Sequence, residues 1–204
     1  MVIAISHQYN KYKMDNSKKI ILDLCGGTGS WSAPYKEAGY NVRVITLPEY
    51  DVLKYNPPLK VHGILAAPPC DHFTVSGAQY WKQKDQDGRT DEALDILKAC
   101  LRIIRNTKCK FWALENPVGR IPRLVPELGK PPIIFDPCDY GDPYTKRTCL
   151  WGRFNKLKET PVIAERACKE GSWLMKLGGK SEKTKRLRSV TPPGFAKAFF
   201  EANP

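Results

Sequence analysis

The residues best suited to chemistry lie in the stretch Leu65-Ala-Ala-Pro-Pro-Cys-Asp-His-Phe-Thr-Val-Ser-Gly77. An apolar run from Ile64 to Ala67 ends in Pro68 and Pro69, which lack the N–H that a central strand needs, so the chain must leave the sheet there. Cys70 is thereby delivered to a loop at a strand end, beside the polar Asp71 and His72. A thiol so placed is either a small buried hydrophobe or a nucleophile. A second group, Glu115 of Glu115-Asn-Pro117, follows another apolar run, Lys110-Phe-Trp-Ala-Leu114. On neighbouring strands, a thiolate and a carboxyl can attack an electron-poor carbon and protonate the far side of the same ring. Glu115 could equally be a cap or an ion-pair partner near a surface loop. A third feature is the turn Cys25-Gly-Gly-Thr-Gly-Ser30, whose glycines let backbone approach a ligand closely or simply pack tightly. Its spacing is not G-x-G-x-x-G, and nothing in it requires a pyrophosphate.

These three features need elements to position them. Lys19-Ile-Ile-Leu-Asp-Leu24 reads as a short buried strand running into the glycine turn, and a helical pattern follows from Trp31 to Ala38 and stops at Gly39. Asn41-Val-Arg-Val-Ile-Thr46 alternates and is β-branched, the mark of a second strand, with Leu47-Pro-Glu-Tyr-Asp-Val52 as its loop. Val61 to Ala67 is the strand that feeds Cys70. From Arg89 to Asn106 the apolar Ala93, Leu94, Leu97, Leu101 and Ile104 recur at helical spacing, with acids early and arginines late, as the helix dipole favours. Lys110 to Leu114 is the next strand. Repeated strand, polar loop and helix predict a doubly wound α/β architecture with a mostly parallel sheet, in which every strand-end loop falls at one edge.

The chain has 204 residues, 42% hydrophobic and 26% charged, which fits one soluble globular domain with a full core. No apolar run reaches membrane-spanning length and the first residues carry no signal pattern, so a cytoplasmic protein is expected. Seven cysteines without paired C-x-x-C spacing argue against a disulfide framework and against a zinc site. A net charge of +12 and a pI near 9.4 suggest a polyanionic partner, because Lys and Arg neutralising phosphates drive non-specific nucleic-acid binding. From Arg153 to Arg188 there are eleven Lys or Arg against four Glu, so much of the excess lies late in the chain. A merely solvated surface is the alternative.

Pro68-Pro-Cys-Asp-His-Phe-Thr-Val-Ser-Gly77 resembles the nucleophile motif of the cytosine-C5 DNA methyltransferases, with Phe73, Ser76 and Gly77 in place. The likeness extends in the family's order from about Lys19 to Gly152. Asp23-Leu-Cys-Gly-Gly-Thr-Gly29 is similar to the motif that cradles the methionine end of S-adenosylmethionine, with Cys25 where a phenylalanine is usual. Asp51-Val52 resembles the acidic position that meets adenine, and Glu115-Asn-Pro117 the family's Glu-Asn-Val. Asp139 to Arg147 is similar to the segment that ends in glutamine and arginines, although Tyr144 and Thr145 replace the glutamine and Arg147 is the arginine match; Thr148-Cys-Leu-Trp-Gly152 continues as its strand. Arg188-Ser-Val-Thr-Pro192 resembles a late family motif.

The resemblance implies the S-adenosylmethionine-dependent methyltransferase (Rossmann-like) fold, with S-adenosylmethionine as donor and DNA as partner. It implies a flipped cytosine, Cys70 adding to C6, Glu115 protonating N3, Arg147 holding the base carbonyl, and Asn116 orienting the Glu115 loop. The donor would lie against Asp23, Cys25, Gly27, Gly29, Trp31, Leu47 and Asp51. The acid that usually binds the ribose is missing near Thr46 and Leu47, and the family's large target-recognition domain has no room. The expected organisation is an arm over 1–17, a catalytic domain over 18–152, a basic segment over 153–188 that contacts DNA with Trp173 and Leu174 as an apolar anchor, and a closing helix over 189–204 packed back on the catalytic domain. Such compact forms resemble phage-encoded members. RNA or a free cytosine nucleotide as acceptor, an altered donor, and an idle nucleic-acid-binding module with this fold stay open at this point.

Overall fold

The computed structural model describes residues 15–165, 172, 173, 177 and 181–204. Most of the arm expected over 1–17, and Leu174, lie outside the described residues. Four runs form parallel strands: β1 (Ile20–Leu24), β2 (Asn41–Ile45), β3 (Gly63–Ala66) and β4 (Phe111–Pro117). Two more, β5 (Ile133–Phe135) and β6 (Thr148–Arg153), complete a six-stranded sheet of order β2-β1-β3-β4-β6-β5. Only β6 runs against the rest, antiparallel to both β4 and β5. The described helices are α1 (Ala33–Glu37), α2 (Trp81–Gln86), α3 (Arg89–Asn106), α4 (Ile121–Leu124), α5 (Glu182–Ser189) and α6 (Pro193–Ala202). This is the doubly wound, mostly parallel, Rossmann-like α/β fold that the strand–loop–helix pattern predicts.

Strand parity divides the core. Leu22, Leu24, Ile64, Ala66 and Leu114 face α3, which buries Ala93, Leu97, Cys100, Leu101 and Ile104 against them. Ile21, Leu65, Phe111, Ala113 and Leu150 face the other way, onto Trp31, Tyr35, Phe195 and Phe199 of the α1 region and α6. By the same period of two, Asp23 and Glu115 fall on the α1/α6 face. The helix expected from Trp31 shortens to α1, entered through Pro34. Its N-cap Ser32 gives its hydroxyl to Asp23 at 2.5 Å instead of capping the helix. Glu115-Asn-Pro117 lies inside β4 and not beyond it, because β6 extends the pairing to Asn116↔Cys149 and Pro117↔Thr148.

The α6 helix is fastened by aromatic contacts. Phe199 lies 5.4 Å from Trp31 and 5.8 Å from Phe111, centroid to centroid, and is fully buried. Burying such a ring contributes several kcal/mol, and its removal leaves a cavity. Phe199→Ala should therefore lower unfolding free energy by about 3–5 kcal/mol in urea denaturation followed by circular dichroism.

Candidate active site

The order of the sheet reverses at β1, since the chain moves outward to β2 and returns to the other side as β3. In open α/β sheets the crevice at the carboxyl ends of two such strands is the natural ligand site. A cavity of ≈ 90 Å³ lies there. One wall comes from the end of β1 and its turn: Asp23, Cys25, Gly26, Gly27 and Trp31. The loop after β3 supplies Ala67 to Cys70, β4 supplies Glu115 and Pro117, and Lys146, Arg188, Ser189 and Thr191 close the remaining side. The structure thus brings Cys70 and Glu115 onto one cavity.

Their relative placement is set by backbone. Ala66 pairs with Leu114, so Glu115 sits beside the exit of β3. Asn116 is 1% exposed and donates its side-chain amide to the Pro68 carbonyl at 2.9 Å. The Arg120 N–H donates to the Phe73 carbonyl at 3.0 Å and that of Val75 to Val118 at 3.1 Å. Gly119 has no alternative here, because a Cβ would overlap the Phe73 carbonyl. The Cys70 carbonyl accepts from the N–H groups of Phe73 and Thr74 at 2.9 and 3.0 Å, forming the tight turn that presents the thiol.

Burial pushes the Cys70 thiol above its ordinary value; Lys146 opposes this, while Glu115 and Asp71 add to it. Burial also raises Glu115, again against Lys146. Glu115 keeps one oxygen, Oε2, buried with no hydrogen-bond partner. A carboxyl whose protonated form burial favours, with one oxygen unpartnered on a cavity, is suited to give a proton to a ligand there.

Of the two adjacent basic residues, Lys146 lines this cavity and Arg147 does not. Arg147 is exposed on the outer side, its backbone carbonyl bound by the Val118 N–H at 3.0 Å. The reason is parity: successive side chains entering β6 point opposite ways, and the even positions, with Leu150, fall on the α1/α6 face that Glu115 shares, the odd ones, with Cys149, on the α3 face. Lys146 is fixed by its N–H to Asp136 at 2.8 Å and by its ammonium to the Arg188 carbonyl at 3.1 Å.

The residues that flank the glycine turn offer a buried acceptor and a buried donor to a ligand. Asp23 is fully buried, accepts from Ser32 through Oδ2 and leaves Oδ1 without a partner, as is the indole N–H of Trp31. An acceptor and a donor, both buried and unpaired on one cavity, fit an α-ammonium and an α-carboxylate. A Cβ at Gly26 would overlap the Asp23 carboxyl, and Gly27 takes φ +53°, so the turn requires both glycines. Burial pushes Asp23 up to about 6, partly offset by the Ser32 hydrogen bonds. Gly29, with φ +69°, closes the turn through its N–H to Gly26 but does not line the cavity. Leu47 and Asp51 also do not line it: Leu47 is 72% exposed, and Asp51 accepts from the Leu53 N–H at 2.9 Å. Among the described residues no cluster of three or more His, Cys, Asp or Glu could hold a metal ion, and no helix is long and apolar enough to cross a membrane.

A residue the sequence does not single out organises this edge. Arg120 is 4% exposed, donates to the His72 carbonyl at 3.0 Å and to Thr90 at 2.9 Å, and forms a bidentate pair with Asp85 at 2.8 Å. Its guanidinium also lies 4.8 Å from the Trp81 ring. It ties the segment after Cys70 to the end of β4. An Arg following a Gly near a strand end was the only available signal, and it is a weak one.

No protein-family model matches the chain, and no curated protein matches it. Among solved structures it is similar to a prophage-encoded E. coli protein provisionally named a DNA modification methyltransferase, at 18% identity and a TM-score of 0.44, over 72% of this chain and 52% of that one. The chain therefore spans about half the length of that structure.

Because Asp85 is half exposed, its carboxylate regains water when its partner is lost, and the cost of Arg120→Ala is mainly that of its own charged hydrogen bonds. The substitution should lower stability by about 2 kcal/mol in urea. It should also speed alkylation of Cys70 by iodoacetamide several-fold, read by peptide mass spectrometry.

Proposed function

We propose that the protein is an S-adenosylmethionine-dependent methyltransferase that acts on C5 of cytosine in DNA through a covalent bond between Cys70 and C6. The observation that carries this reading is a single cavity holding the Cys70 thiol, the buried Glu115 carboxyl with one oxygen unpartnered, and the unpaired acceptor of Asp23 and donor of Trp31. The three stretches that resemble the cytosine-C5 enzymes, Pro68–Gly77, Asp23–Gly29 and Glu115–Pro117, supply Cys70, Asp23 and Glu115.

When bound, S-adenosylmethionine supplies an electrophilic methyl group on a sulfonium. Asp23 and Trp31 hold its amino-acid end, and Gly26 and Gly27 leave room for it. A cytosine turned out of the helix stack enters beside Glu115, whose proton passes to N3 and makes C6 electron-poor. The Cys70 thiol gives up its proton to water, Lys146 favours the resulting thiolate by its charge, and the sulfur adds to C6, leaving C5 electron-rich and ready for alkylation. Departure of Cys70, after loss of the C5 proton, restores the ring. Asn116 holds the Pro68 carbonyl and so fixes the distance between the two loops. Phosphates meet the basic segment over 153–188, in which Arg186 and Arg188 are exposed on α5 and Arg188 reaches the cavity.

DNA carrying 5-fluorocytosine tests the reading, since fluorine at C5 cannot leave as a proton does. A covalent adduct is expected with S-adenosylmethionine and lost in Cys70→Ser. Glu115→Gln should slow methyl transfer about 10²–10⁴-fold, and Lys146→Met should slow it far more than Arg147→Met. Radiolabelled methyl transfer is compared across duplex DNA, single strands, RNA and dCMP. Labelling of dCMP alone overturns the DNA assignment, and no label or adduct on any acceptor leaves a binding module instead.

The cradle also predicts a pH dependence. Asp23 sits near 6 in the ligand-free protein, and an ammonium prefers its ionised form. Above that pH the affinity for S-adenosylhomocysteine is flat; as pH falls through about 6 a proton competes, and affinity drops toward tenfold per pH unit. Calorimetric titration should show this slope in the natural chain and a weak, pH-independent affinity in Asp23→Asn.

A further inference from the structure

Cys25 has two properties that a cysteine in a glycine turn need not have. It adopts φ +57°, the one positive φ outside glycine among the described residues, in a region that L side chains avoid. By strand parity it would face the α1/α6 side with Ile21 and Asp23. The left-handed turn sends its side chain to the opposite face instead, where it packs against the α3 cluster. There its sulfur lies 3.8 Å from that of Cys100, which is fully buried on α3. Cys25 itself is partly exposed and lines the cavity, so one thiol of the pair is reachable and the other is shielded.

We propose that Cys25 and Cys100 are an oxidisable dithiol, which a peroxide converts to a disulfide that draws Cys25 away from the cavity wall and weakens ligand binding there until a thiol reductant restores it. In the first step the Cys25 sulfur takes one oxygen of the peroxide, becoming a sulfenic acid as water leaves. The Cys100 sulfur then attacks that sulfur; the S–S bond forms, the S–O bond breaks, and the proton of Cys100 leaves with the hydroxide as a second water. The two thiols lose two electrons and the peroxide gains them. Until then the hydrogen bond to Cys25, and then burial, hold Cys100 in its thiol form, which makes it the resolving partner and Cys25 the one attacked first.

Closure shortens the sulfur separation from 3.8 Å to about 2.05 Å. The α3 helix has 18 residues with one face sealed against the sheet, so it holds its place. The displacement falls on the turn from Cys25 to Gly29, whose glycines can follow it. That turn carries Gly26 and Gly27 of the cavity wall, and it adjoins Asp23.

The dithiol stands by itself, while its effect on the ligand rests on the function proposed above; the test separates them. In a Cys70→Ser background, which prevents oxidation of the nucleophile from confusing the result, protein is treated with one to ten equivalents of hydrogen peroxide and mapped by non-reducing peptide mass spectrometry. A Cys25–Cys100 linkage is expected, with at least a tenfold loss of S-adenosylhomocysteine affinity by calorimetry that dithiothreitol reverses. Cys100→Ala in the same background should keep the affinity and lose its sensitivity to peroxide; Cys100→Val serves if alanine unfolds the chain. Peroxide that oxidises Cys25 without linking it to Cys100 overturns the proposal, as does a linked protein with unchanged affinity. If the reduced protein does not bind S-adenosylhomocysteine, the proposed function fails, and the linkage is still decided by the peptide map.

Discussion

The site depends above all on the backbone pairing between the two loops that leave β3 and β4. The parallel ladder ends at Ala66↔Leu114, but hydrogen bonding continues past it, from Asn116 to Pro68, from Arg120 to Phe73 and from Val75 to Val118. A loop with one such bond could sway by several ångströms. With three, and with Gly119 pressed against Phe73, the thiol of Cys70 and the carboxyl of Glu115 inherit the register of the sheet. Catalytic geometry that must hold to about half an ångström needs this support from elements that are rigid for other reasons.

Electrostatics then follow from depth. Cys70, Glu115 and Asp23 surround one small space, and burial disfavours the ionised form of all three. Lys146 is the cation that bears on both Cys70 and Glu115. In the ligand-free protein the arrangement favours a thiol and a carboxylic acid, neither of which is yet a reacting species at full strength. Transfer of the Glu115 proton to a ring would itself complete the activation of that ring, and Lys146 would then face two anionic groups, the carboxylate and the adding sulfur. Under the proposed function, thiol and carboxyl thus stay in their protonated forms until an acceptor intervenes.

Much of this frame can be read from the chain because buried parallel strands announce themselves as apolar runs stopped by Gly or Pro. Ile20–Leu24, Gly63–Ala66 and Phe111–Leu114 are of that kind, and α3 shows a clean helical stripe. The choice between Lys146 and Arg147 is of a different kind: adjacent basic residues are equivalent until Thr148 is known to oppose Pro117, and that register is a property of two distant segments. The α2 helix, Trp81-Lys-Gln-Lys-Asp-Gln86, has no apolar face and is held by Arg120 through Asp85 and Trp81, a tertiary cause invisible to periodicity. Leu47 and Asp51 follow from a likeness of order along the chain, and neither lines the cavity.

The antiparallel β6 has a consequence for access. Because it runs against β4, its start and not its end lies at the site, and the segment before it delivers Lys146 there. The later chain returns over the same place: Thr191 donates its N–H to Ser30 at 2.8 Å, Gly194 to Asp142 at 2.8 Å, and Arg188 offers its carbonyl to Lys146. Small-molecule pockets commonly enclose about 300–1,000 Å³, well above the ≈ 90 Å³ between these walls. A base and a donor of the proposed kind can enter only if one wall gives. The sheet side is fixed by paired strands, and the α6 side by buried aromatic rings. The contact between Lys146 and the Arg188 carbonyl is exposed to water, so breaking it costs only about 1 kcal/mol. The weakest seam of the cavity therefore runs between the basic helix α5 and the lysine that faces Cys70 and Glu115, the side from which a phosphate-bearing acceptor would arrive.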